Sequence, residues 1–385
     1  MPGLKRLGIE GFRRLRKIDL EMRPLMVMIG ANNVGKTSFL DAMSLLAASA
    51  NGQLGKTLSD MGGIASVITR GHSDKLTLST STDAPDQKLL DYILQIGPIG
   101  QNFKIFLESL TQRIENKQIL YFSSDGELIE KDNHSFAKKG SESVLSGAVS
   151  TSSTIEEVLW LNKWQVEQQV RQLLCSIAHY FSPHVSDRRA LIRLPQQLRP
   201  SDLPGDDGGD LISLLYNLRE NCQDRFEAIE DTLKVAFPGF ESLGFPPVAA
   251  GMLSMIWKEK HFNKPLYMNE LSSGTLRFLW LVSLLQSPGL TAATMIDEPE
   301  GSLHPELLNL LADLFREASH RTQLIVATQS DSLIRFLQPN EVVVMDIDDE
   351  GFAQAKWADT LDLDEWLKEY SLDELWHMGR IGARS

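Results

Sequence analysis

The stretch LMVMIGANNVGKTSFLDAM, residues 25–43, constrains the fold more than any other in this chain. Leu25 to Ile29 is an unbroken apolar run, the pattern of a strand covered on both faces. It ends in Gly30-Ala31-Asn32-Asn33-Val34-Gly35-Lys36-Thr37, which fits G-x-x-x-x-G-K-[ST]. Phe39 to Ala50 then reads as a helix. Strand, glycine-rich loop and helix in succession make a phosphate cradle: backbone N–H groups curl around the β-phosphate, and the helix aims its positive end there. The candidate nucleotide-binding residues are Gly30, Asn32, Asn33, Gly35, Lys36, Thr37 and Ser38. Lys36 is expected to reach the β- and γ-phosphates, and the Thr37 hydroxyl to ligate Mg²⁺. Asn33 stands where many such loops carry glycine; asparagine tolerates the left-handed conformation better than most residues. Composition alone yields this pattern in on the order of a per cent of chains this long. Its placement between a strand and a helix argues against a chance turn.

Two later segments belong with this loop. TMIDEPEGSLHP, Thr294 to Pro305, is a strand ending in Asp297-Glu298. An acidic pair straight after a buried strand suits a metal–nucleotide site. It is expected beside the phosphate loop, with Asp297 holding Mg²⁺ through water and Glu298 polarising the attacking water. NELSSGTLRFLWLVSLL, Asn269 to Leu285, starts as a polar turn and becomes an apolar helix. Taken alone, Ser272 or Ser273 would simply cap that helix.

The chain has 385 residues, enough for a large core and more than one lobe, and it is 42% hydrophobic and 23% charged, as folded proteins are. A net charge of −13 repels nucleic acid and anionic membranes on average, without forbidding a local basic patch. Cys175 and Cys222 form no metal-binding pair, so two buried thiols in a reducing compartment are expected. The charged, alternating N-terminus lacks the apolar core of a signal peptide, and no stretch approaches the roughly 20 apolar residues of a membrane span. A cytoplasmic location without membrane contact is the expectation.

Leu4 to Ile9 and Arg16 to Leu20 alternate as short strands do, and Lys75 to Ser79 reads as another. Gly140 to Ser153 and Pro200 to Asp210 are polar loops; Thr154 and Glu157 have capping-box spacing before a helix running to about Phe181. Asp210 can cap the next helix, Asp224 to Phe237 is a third, and Val248 to Lys258 with Lys264 to Met268 look like a strand pair. Strands at Ala292 to Ile296, Gln323 to Thr328 and Glu341 to Ile347, with a helix at Leu303 to His320, return to an α/β rhythm. The expected architecture is an α/β core from residues 1–50 and 270–385 with a mixed, largely parallel sheet. Residues 51–269 are expected as an inserted, mostly helical lobe with some strands.

Leu271-Ser272-Ser273-Gly274-Thr275 resembles the LSGGQ signature of ABC-type ATPases. Phosphate loop, signature, acidic pair and the later IVATQS segment stand in the order of the RecF, SMC and OLD branch of those enzymes. GANNVGKTS, DEPEGSLHP and VATQSDSL are most similar to stand-alone AAA-type ATPases like the ATPase half of OLD-family proteins. The resemblance covers both ends of the chain and matches the middle only by length and helical character. It implies an ABC-type P-loop NTPase fold with ATP and Mg²⁺ as ligands. It also implies that Ser272, Ser273 and Gly274 close over the nucleotide of a second copy, giving a head-to-tail dimer. Ser302 and Leu303 fall in the loop that crosses to that copy, and Gln329 falls where many relatives place a switch histidine. Glutamine can donate to a γ-phosphate oxygen but does not titrate near pH 6.5, so slow ATP hydrolysis is expected. Ser273, at the middle glycine of the signature, is a second departure. Gly11-Phe12-Arg13 resembles the family's turn beside the nucleotide; Arg13 either touches a phosphate or is a solvated arginine.

The resemblance implies an ATP-gated dimer that controls a separately encoded nuclease or toxin, with antiviral defence as the setting. Residues 330–385 are too few for the nuclease domain that OLD-branch relatives carry after the ATPase. The alternative is a RecF-like DNA-repair ATPase, against which the acidic balance weighs. Arg188, Arg189, Arg193 and Arg199 either contact nucleic-acid phosphate or are solvated and internally paired. His304 reads as a capping or packing residue rather than a metal ligand, and Trp366, Tyr370, Leu372, Leu375 and Trp376 as a tail docked on the core.

Overall fold

The computed structural model describes residues 3–84, 88–114, 117–124, 128–131, 134–137, 143–145, 157–181, 183, 185, 187, 189–363, 366 and 369–381. Thr154, Ser186 and Arg188 lie outside them, and so does most of the expected loop at 140–153. The chain divides into two compact units, Met1–His179 with Pro339–Tyr370 and Glu374–Ser385, and Tyr180–Gln338 with Ser371–Asp373. The segment 51–269 is shared between them.

In the first unit the strand Leu25–Ile29 is wholly buried. It runs parallel to Val342–Ile347, with Ile29 opposite Val344, and Val342–Ile347 pairs antiparallel with Ala353–Trp357. This sheet is therefore mixed. The helix Lys36–Ala50 follows the phosphate loop and is buried along most of its length. An eight-stranded antiparallel sheet completes the unit, with the hairpin Leu4–Phe12 and Leu15–Glu21 at one edge. Its other six strands come from residues 76–137.

That sheet corrects the expected helical lobe. Six strands lie between residues 76 and 137 and more follow between 177 and 267, so helix does not dominate the described residues of 51–269. Leu76, Leu78, Thr80 and Thr82 alternate inward along one strand, as do Leu90, Tyr92, Leu94 and Ile96 along the next. Threonine fills two inward positions and serine and threonine the outward ones, so the period of two carries little hydropathy contrast. Helices occur at Glu157–Cys175, Leu211–Asn221 and Gln223–Ala236. The first stops at Cys175, short of the expected Phe181, because Ile177–Phe181 is a strand.

In the second unit Ala293–Asp297 and Gln323–Thr328 pair in parallel, with Asp297 opposite Ala327. The helix Glu306–Ser319 connects them and buries Leu307, Leu308, Leu311, Leu314 and Phe315, a single apolar stripe. Both strands therefore end at one edge, where ligands bind in open α/β sheets. Two small antiparallel sheets and the helix Ser273–Gln286 complete the unit. No helix of the described residues is long and apolar enough to cross a membrane.

Candidate functional site

The phosphate loop is built by exclusion of side chains. A Cβ at Gly30 would lie 2.6 Å from the Met345 carbonyl oxygen, so only glycine fits where the strand ends. Asn33 (φ 68°) and Gly35 (φ 110°) take left-handed conformations, and Arg14 donates to the Asn33 carbonyl at 3.2 Å. These turns wrap the loop around Lys36, which is only 7% exposed. Its Nζ donates to the carbonyls of Gly30 at 2.6 Å and Ala31 at 2.9 Å. Lysine thus sits inside the bowl and keeps it curled. Asn32, Asn33 and Thr37 are exposed at its rim, and Ser38 is half-buried. The helix that begins at Lys36 has glycine at its N-cap and no side-chain cap.

Arg13, at φ 46°, pairs with Asp41 of that helix at 2.5 Å and lies over the Phe12 ring. In this arrangement its charge is partnered within the chain. The sequence gives no sign of the pair, since the partners are 28 positions apart.

In the second unit, Glu298 is exposed at the end of its strand with φ 47°. Its N–H donates to the Ala327 carbonyl at 2.8 Å, fixing the turn. The Gln329 side-chain amide donates to the Glu298 carboxylate. The expected catalytic glutamate and the residue at the switch position therefore touch. Asp297, half-buried, precedes them. Glu300 accepts from the Thr328 hydroxyl at 2.6 Å and from the Gln329 N–H at 3.1 Å. Ser302 has φ 63°, and Leu303 donates its N–H to the Glu300 carbonyl.

The same unit holds the signature-like loop. Ser272 caps the helix Ser273–Gln286, accepting from the Thr275 N–H at 3.0 Å. A cap and a phosphate grip are compatible, since Ser272 is exposed and Gly274 is bare. A Cβ at Gly274 would lie 2.6 Å from the Ser302 carbonyl oxygen, so this helix start packs directly on the 298–303 loop. Ser273 is held from beneath. Buried Arg193 donates to its hydroxyl at 3.2 Å and to the carbonyls of Leu271 at 2.9 Å and Val185 at 2.7 Å. Serine at the middle position of the signature thus has an internal partner.

Arg199 pairs with Asp210, so Arg193 and Arg199 are both internally engaged. Asp210 consequently stands at the start of Leu211–Asn221 without bonding that helix's amides. His304 accepts from the Glu306 N–H at 3.4 Å, while Pro305 stands at the N-cap of that helix. Cys222 is exposed, which corrects the expectation of two buried thiols; it sits in the bend between two helices. Sequence reading passed over Glu300, Arg277 and Asp41, and named Arg193 without its partners. A usable signal existed for Arg277, four residues after Ser273 and so on the same helix face.

A family model described as "AAA domain, putative AbiEii toxin, Type IV TA system" matches residues 25–335. The chain belongs to this AAA family. No curated protein matches it. Among solved structures it is similar to an SMC head bound to the C-terminal winged-helix domain of ScpA, with TM-score 0.56, 14% identity, and 92% of this chain and 97% of that one covered. An SMC head with an extended coiled coil, bound to the C-terminal domain of ScpA derived from Pyrococcus furiosus, gives TM-score 0.53, 12% identity and coverage of 96% and 98%. An SMC head with a coiled coil and joint derived from Pyrococcus yayanosii gives TM-score 0.50, 11% identity and coverage of 96% and 99%. At these identities the likeness is one of fold. This AAA domain has the α/β, P-loop architecture of ABC-type ATPase heads.

Proposed function

We propose that the chain binds Mg-ATP, hydrolyses it slowly, and uses ATP to join two copies head to tail, gating a separately encoded effector. The observation that carries the nucleotide reading is the buried Lys36 ammonium held inside its own loop by the Gly30 and Ala31 carbonyls. A cation in a bowl of backbone amides is the chemistry that takes a triphosphate. The oxygen donors Thr37 and Asp297 suit a hard cation; Mg²⁺ on them would neutralise charge on the phosphates. Glu298 accepts the proton of the attacking water, and Gln329 holds that carboxylate. With glutamine at this position, no imidazole joins the reaction, which supports slow turnover.

The dimer rests on Ser272, Ser273 and Gly274, whose likeness to an ABC signature gives them a second copy's γ-phosphate as ligand. Toxin wording in the family description and the ScpA domains seated on SMC heads both support a separate protein partner. Within the family, GANNVGKTS, DEPEGSLHP and VATQSDSL carry the likeness to OLD-branch ATPases and hence to antiviral defence.

Binding of a fluorescent ATP analogue and phosphate release test the nucleotide reading. Wild type is expected to bind and release phosphate slowly, and Lys36→Ala to lose both. Wild type that ignores ATP, or a Lys36→Ala protein with unchanged turnover, would contradict it.

A further inference from the structure

The 298–303 loop holds Glu300, and Arg277 of the helix Ser273–Gln286 lies against it; the nucleotide chemistry above uses neither. One Glu300 oxygen, Oε1, accepts from the Thr328 hydroxyl at 2.6 Å and the Gln329 N–H at 3.1 Å. Gln329 is the residue whose side chain grips Glu298. Glu300 therefore fixes the backbone from which that grip is made. Its other oxygen, Oε2, is buried with no hydrogen-bond partner among the described residues, and the same is true of Arg277 Nε. The Arg277 guanidinium lies against the Gly301 backbone: a Cβ there would meet Nη1 at 1.9 Å. Burial lowers the Arg277 pKa, while the charges of Glu300 first and Glu298 second oppose that. A buried carboxylate is tolerated only with a compensating cation nearby. Arg277 is a cation set against the next residue of this loop, Gly301.

Resting on the ATPase reading, we propose that Glu300 and Arg277 are positioning residues that set the Glu298–Gln329 pair. Glu300 does so through Thr328 and the Gln329 backbone, and Arg277 by balancing its buried charge. Neither needs to touch the nucleotide. Misplacing Glu298 by a fraction of an ångström then slows the chemical step without weakening ATP binding.

The test compares kcat and KM for Mg-ATP, the Kd of a fluorescent ATP analogue, and thermal melting in the full chain. Glu300→Ala, Thr328→Val and Arg277→Gln are expected to lower kcat roughly ten-fold or more, with KM and Kd within about two-fold. Thr328→Ser and Arg277→Lys, which keep the hydroxyl and the charge, are expected to retain most of the rate. If Glu300→Ala does not fold, Thr328→Val carries the test; at nearly constant volume it deletes the bonds of that hydroxyl to Glu300 and from the Ser330 N–H. Wild-type kcat in Thr328→Val and Arg277→Gln overturns the positioning role while leaving the ATPase reading intact. So does a KM that rises in step with the loss of kcat, or a loss of rate equal in the conservative variants. Wild type without hydrolysis fails the ATPase reading itself, and the positioning role falls with it.

Discussion

His179 shows how one buried side chain ties stability to pH. It lies in the strand Ile177–Phe181, with Nδ1 3.4 Å from the Ser44 hydroxyl. Burial lowers its pKa from 6.5 to about 4, against an opposing pull from Asp41. The folded state therefore holds this imidazole neutral while the unfolded chain protonates it below 6.5. Stability from this residue is complete above pH 6.5 and is lost as pH falls toward 4. Between pH 7.5 and 5 the loss is about 2 kcal/mol. Urea unfolding at the two pH values should show that loss in wild type and a smaller one in His179→Gln. Equal losses would contradict it. Lys36, Glu298 and Ser272 could be singled out at this scale because a motif and its neighbours mark them. Arg193 was not: a sequence displays its charge but not the three acceptors, from Val185, Leu271 and Ser273, that bury it. The Arg13–Asp41 pair was hidden for the same reason, being a contact made by folding.

Among the elements, the helix Ser273–Gln286 joins fold to site. Its body is buried from Phe278 to Gln286, and its first turn rests on the 298–303 loop. Gly274 is essential there for space rather than for backbone freedom, because a methyl group would strike the Ser302 carbonyl oxygen. Gly274→Ala should cost about 1–3 kcal/mol by overpacking, lower ATP turnover and weaken ATP binding in the closed dimer. Urea unfolding and a Kd measurement check this; wild-type stability and turnover would show that the contact relaxes freely. The strand–loop–helix unit at 25–50 was readable because an apolar run and a fixed motif adjoin. The strands of 76–137 were not, because Thr80 and Thr82 occupy buried positions where sequence patterning looks for aliphatic residues. Their order is set by pairing across the sheet, which no local window contains.

For the whole molecule, the fold class was legible and the division of the chain less so. Motif order pointed to an ABC-type fold, and the likeness to SMC heads bears that fold out. The compact units divide near residues 179 and 338, where no change of composition marks a boundary. The central claim lies at this scale: a nucleotide held by Lys36 of one copy is sealed by Ser272 and Gly274 of another. Light scattering of Glu298→Gln saturated with Mg-ATP measures it most directly, since that substitution leaves Lys36 in place while removing the proton acceptor. The mass should double with Mg-ATP and return to that of a monomer when Ser272→Arg is added. A protein that stays monomeric with ATP bound, or a dimer indifferent to Ser272→Arg, would contradict the account.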